Sequence, residues 1–153
     1  MLKRFLLASM SIIVFSCNPG KENKEAKQIT NSIEGTWKLI TGTLIENGDT
    51  SVTEYSGNTS FIKIINKTHF AFLQHDLKKL KDTATFSAGG GKYELNDGVY
   101  TEHLEYCTAR EWEGNDFKFT VAINNDTLVQ SGIERIESAG VNRINIEKYI
   151  RLK

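Results

Sequence analysis

Proline occurs once in these 153 residues, at Pro19, and cysteine only twice, at Cys17 and Cys107. No apolar run reaches the roughly 20 residues that a membrane-spanning helix needs. The longest, residues 5–15, has the length of a signal-peptide core instead. No stretch forms a basic stripe, and 19 Lys and Arg against 19 Asp and Glu give no electrostatic reason to expect nucleic acid. Histidine appears three times, at His69, His75 and His103, without the short spacing of a metal-ligand pair, so no metal site is expected.

What is present begins with an address. Lys3 and Arg4 precede the apolar run, and Ser16-Cys17 follows it. A signal ending in Ser-Cys resembles the lipobox of bacterial lipoproteins. The resemblance implies that residues 1–16 are removed, that Cys17 is acylated, and that the chain is anchored to a membrane of the bacterial cell envelope, the outer membrane being the expected one. The alternative is a plain secreted chain in which Cys17 has no role. A single acyl chain holds only weakly, so stable attachment takes two or more. With Cys17 lipidated, Cys107 is left alone and a disulfide scaffold is excluded. Loss of Lys3 and Arg4 leaves 17 basic residues against 19 acidic ones.

Residues 17–31 read as the lipidated cysteine and a tether. The stretch NPGKENKEAKQITN is polar and nearly free of large apolar groups, so burial cannot offset the entropy of ordering it. A coil of that length reaches roughly 20 Å. Residues 32–153 then form one domain, long enough to bury a core of its own.

Within that domain Thr, Ile, Val, Tyr and Phe cluster in short runs separated by Gly, Asn and Asp, the pattern of many antiparallel strands. The expected strands are 35–43, 61–65, 69–73, 92–95, 99–107, 117–123, 127–132, 132–137 and 143–152. Asn47-Gly48, Asn66-Lys67-Thr68, Asn96-Asp97-Gly98 and Asn124-Asn125-Asp126 supply turn residues that accept positive φ or cap their own backbone. Only 74–83, with Leu77 and Leu80 three apart, hints at a helical turn. A meander of eight to ten strands either closes or leaves sticky edges, so the expected fold is an all-β, up-and-down antiparallel barrel.

Gly35-Thr36-Trp37 on the first strand resembles the Gly-x-Trp signature of the calycin superfamily, the lipocalins and their relatives. Arg151 stands where that family's last strand carries an arginine that packs over the tryptophan. The stretches Thr68-His69-Phe70, Gly89-Gly90-Gly91-Lys92-Tyr93, Tyr100 to Tyr106 and Lys148-Tyr149-Ile150-Arg151 are similar to lipocalin-like bacterial envelope proteins described mainly by fold. The resemblance implies a barrel floor built from Gly35, Trp37 and Arg151, and implies no activity.

Period two places Tyr100, Glu102, Leu104 and Tyr106 on one face of their strand. Aromatics around a single carboxylate suit a barrel lumen. Glu102 needs a partner there, because an unpaired buried carboxylate is costly; Arg135, Arg151 or a tyrosine hydroxyl could serve. Glu102 is then either a polar anchor for a ligand or half of a structural pair. Phe70, Phe72, Phe117, Phe119 and Trp112 complete the expected lumen. Gly89-Gly90-Gly91 leads into a strand, not into the helix a phosphate cradle requires, and reads as a bend or bulge. No cofactor is implied. Cys107 and His103 sit about 13 Å apart along an extended strand, and no acid, base and nucleophile converge, so an enzyme is not expected. Two functions remain: a lumen that binds a small, largely hydrophobic ligand, or an inhibitor-like accessory lipoprotein whose loops bind another envelope protein.

Overall fold

A computed structural model describes residues 32–78 and 84–153. The signal at 1–16, Cys17 and the tether up to residue 31 lie outside the described residues. The domain is all-β: β1 (Gly35–Glu46), β2 (Asp49–Glu54), β3 (Thr59–Ile65), β4 (His69–Asp76), β5 (Phe86–Asn96), β6 (Val99–Cys107), β7 (Asp116–Asn124), β8 (Thr127–Ile136) and β9 (Val141–Arg151). Each of β3 to β9 pairs antiparallel with its neighbour in the chain, and β9 returns to β1. Eight strands, β1 and β3 to β9, therefore close a barrel of the expected up-and-down kind. β2 lies on the edge of β1 that β3 occupies lower down.

The turns follow from their residues. Asn47 and Gly48 take φ of 53° and 86°, and Asp97 and Gly98 take 51° and 80°, the mirror-image geometry that matches strand twist. The Asn66 side-chain carbonyl accepts hydrogen bonds from the backbone N–H of Thr68 at 2.9 Å and of His69 at 2.8 Å, closing the β3–β4 turn.

Three local expectations change. β2 was not foreseen because DTSVTE has no buried face; all six residues are exposed. The runs 127–132 and 132–137 are one strand: a Cβ on Gly132 would fall on the Lys118 carbonyl oxygen, so this glycine permits close strand packing instead of a break. Of the stretch 74–83, Gln74 to Asp76 complete β4, Leu77 and Lys78 form a bend, and 79–83 lie outside the described residues. The bulge expected at the glycine run is present, the β5–β6 register slipping between Gly90 and Gly91.

The floor is built from the first and last strands. The Trp37 indole N–H donates to the Ile33 carbonyl at 2.8 Å, and the Arg151 guanidinium lies 4.0 Å above the indole ring. Arg151 also donates to the carbonyls of Glu34 and Ser32, both at 2.6 Å. A planar fork can stack and bond two carbonyls at once. Above this floor Leu39, Ile65, Phe70, Tyr100, Leu128 and Tyr149 fill the lower barrel.

Candidate functional site

Halfway up the barrel, alternation turns polar side chains inward. Lys63 lies between Phe61 and Ile65 on the buried face of β3, and is 3% exposed. Its ammonium donates to Glu102 Oε1 at 2.7 Å and to Gln130 Oε1 at 3.1 Å. Gln130 Nε2 in turn donates to Glu147 Oε2 at 2.6 Å, and the Tyr149 hydroxyl donates to the same oxygen at 2.8 Å. Lys63 comes no nearer to Glu147 than 3.9 Å. Three rings, those of Phe70, Tyr100 and Tyr149, surround the ammonium with centroids at 5.8, 5.9 and 5.4 Å. Cation–π attraction is strongest when desolvated, so the rings replace part of the lost hydration.

This ionic layer perturbs its own members. Burial raises the Glu102 carboxyl above its ordinary value; Lys63 pulls it down and Glu147 pushes it up again. Burial also drives the Tyr149 and Tyr100 hydroxyls upward, Glu147 adding to the first and Glu102 to the second, so both remain protonated. The Tyr100 hydroxyl is close enough to feel Glu102 but makes no hydrogen bond of standard geometry among the described residues.

Above the layer the barrel is hollow. A cavity of about 230 Å³ has Lys63, Glu102, Gln130 and Glu147 at its base. Its aromatic walls are Tyr55, Phe61, Phe72, Trp112, Phe117 and Phe119. Phe61 and Phe72 stack at 5.7 Å, and Tyr55 meets Phe61 edge-on at 5.8 Å. Near the rim, Glu134 accepts from Arg143 Nε and from Asn145 Nδ2, both at 2.7 Å. The Arg143 guanidinium lies 5.3 Å from the Trp112 ring, which also packs on Phe117 at 5.7 Å. Gly42, opposite Glu147 in the β1–β9 register, leaves the space that the Tyr55 ring partly fills.

The expected lumen residues divide three ways. Glu102, Phe72, Trp112, Phe117 and Phe119 line the cavity. Phe70 and Tyr100 face inward but belong to the packed half beneath the ionic layer. Tyr106 and Arg135 point outward. The bulge between Gly90 and Gly91 lets Glu105 stand as an extra residue in β6, which reverses the alternation: Cys107 faces the cavity and Tyr106 is 68% exposed. Arg135 falls on the odd, outward positions of the continuous β8, where it pairs with Glu137 at 3.1 Å. The partner of Glu102 is therefore Lys63, neither Arg135 nor Arg151. His69 and His75 are exposed on β4. His103 bonds Asp116 through Nδ1 at 2.7 Å on the outer wall.

Sequence reasoning missed Lys63, Gln130, Glu134, Arg143, Asn145 and Glu147. The usable signal was parity: Lys63 shares the face of Phe61 and Ile65, Gln130 that of Leu128, and Glu147 that of Tyr149 and Arg151.

These features define a closed antiparallel barrel with a packed floor, an ionic layer and a partly aromatic cavity above it. No family model matches the chain, and no curated protein matches it.

Proposed function

We propose that this chain is a lipid-anchored protein of the bacterial envelope whose barrel binds a small amphipathic molecule without chemistry. The observation that carries the reading is the cavity. A barrel packed solid from Trp37 to Tyr149 leaves about 230 Å³ above a buried layer of fixed charges. That volume lies somewhat below the usual range for drug-sized ligands and favours a compact one. Aromatic walls suit a flat apolar body, and the polar base suits one hydrogen-bonding head.

The ending Ser16-Cys17, which resembles a lipobox, supports the anchor, and the floor of Gly35, Trp37 and Arg151 is in keeping with the lipocalin-like resemblance. The floor also bears on orientation. The described chain enters at the closed end, where Arg151 holds the carbonyls of Ser32 and Glu34. An anchor upstream of Ser32 attaches there and leaves the mouth free to face away from the bilayer.

Native mass spectrometry of the full chain purified from its own envelope tests the reading. A bound small molecule is expected, and Leu44→Trp, which fills the cavity wall, should abolish it while the outward Arg135→Ala retains it. A clean apo mass for the parent, or an adduct that survives Leu44→Trp, refutes lumen binding and favours a loop-mediated partner.

A further inference from the structure

The lumen's charges are not evenly matched. Lys63 is closest to Glu102 at 2.7 Å, and Arg143 is bound to Glu134 at 2.7 Å. Glu147 is the third carboxylate at the cavity. Its Oε2 accepts from Gln130 and Tyr149; among the described residues the nearest cation is Lys63 at 3.9 Å, and Oε1 accepts no hydrogen bond. Glu147 lines the cavity and its side chain keeps 14% exposure, so a ligand entering the base covers what solvent access its carboxylate has. An apolar group desolvates the carboxylate with only Lys63, already bound to Glu102, as a distant counter-charge, which is costly, and an anion is repelled by it. A cation offsets the lost hydration and meets rings able to stabilise it. Arg143 offers a cation little resistance, since Glu134 neutralises it and Trp112 shields it.

We propose that the lumen selects a small organic cation, an arylalkyl amine in chemical class, whose ammonium docks on Glu147 while Phe61, Phe72 and Phe117 hold its body. This assignment rests on the lumen-binding reading and names the ligand's head group. Glu147 is the specificity-determining residue, and Glu102 stays committed to Lys63.

Calorimetric titration of the full chain with three matched probes tests it: 2-phenylethylamine, 2-phenylethanol and 3-phenylpropionate. The amine should bind at least tenfold more tightly than the alcohol, and the propionate most weakly. Glu147→Gln keeps an acceptor for Gln130 and Tyr149 but removes the charge; the amine and alcohol should then differ by less than about threefold, in a protein whose melting shows it folded. Alcohol binding as tight as amine binding, a preference for propionate, an amine preference that persists in Glu147→Gln, or silence from all three overturns the cation assignment. The native mass measurement still decides the lumen reading separately, because it requires no particular head group.

Discussion

Replacing Lys63 by methionine isolates what the ionic layer contributes. Methionine fills nearly the same volume, so packing against Phe70, Tyr100 and Tyr149 is largely kept, but the hydrogen bonds at 2.7 Å to Glu102 and 3.1 Å to Gln130 are lost. Glu102, 7% exposed, becomes a buried carboxyl without a counter-charge. Breaking a buried pair in this way costs about 3–5 kcal/mol, and a domain of this size should melt roughly 10–20 °C lower. The loss should depend on pH. The Glu102 carboxyl is raised in the folded protein above its ordinary 4.5, so its neutral form favours folding. That contribution is fully present below pH 4.5 and is lost as pH rises through the folded value. Lys63 is the influence that lowers the folded value; without it the value climbs and the decline with pH steepens. Lys63→Met should therefore cost about 1–2 kcal/mol where Glu102 is protonated in both states, essentially the unmade hydrogen bonds, and the full amount at pH 8. Guanidinium unfolding of parent and variant at pH 4 and pH 8 measures both. Lys63→Met/Glu102→Leu, which removes both charges of the pair, should recover most of the loss and fall short of the parent only by what Gln130 and Glu147 lose with Lys63. An equal loss at the two pH values, or a double variant less stable than Lys63→Met alone, would refute a desolvated pair.

Two further outcomes concern the scaffold. Gly35→Ala places a Cβ 2.5 Å from Arg151 Nη1 at a φ of 143°, so it should displace the guanidinium from the floor and destabilise by about 2–3 kcal/mol in thermal melts; an unchanged melting temperature contradicts the floor. Gly91→Ala drives a Cβ onto the His103 carbonyl oxygen, where neither backbone can yield, and should either abolish folding or cost more than about 3 kcal/mol, read by circular dichroism and denaturant midpoint.

How much of this was legible in the sequence depended on parity. Where strands run without interruption, alternation from a buried aromatic placed its neighbours correctly, as Phe117 and Phe119 show. Where a bulge adds a residue, every later side chain changes face. Tyr106 was lost this way, because nothing local in Tyr100 to Tyr106 states that Glu105 is the extra residue; the cause lies in the glycines of the facing strand. β1 behaves alike: its bulge between Leu39 and Thr41 moves the inward set from Trp37 and Leu39 to Gly42 and Leu44. The polar lumen failed for a different reason. A lysine on a strand is ordinarily exposed, and Lys63 runs against that expectation only because Glu102 and Gln130, 39 and 67 residues away, arrive beside it when the barrel closes.

That dependence links the fold to the site. β1, β3, β6, β8 and β9 each deliver one inward residue to the same height: Gly42, Lys63, Glu102, Gln130 and Glu147. A slip of one residue in any of the four polar strands would turn its charged or amide group outward and leave its partners buried and unpaired, each at a cost of about 1–3 kcal/mol or more. The ionic layer thus penalises wrong registers more strongly than an apolar layer would, since apolar side chains tolerate repacking. It also fixes the base of the cavity at a defined depth, with Gly42 opposite Glu147 leaving room for the Tyr55 ring. The same residues that select the strand register therefore set both the volume and the polarity that a ligand meets.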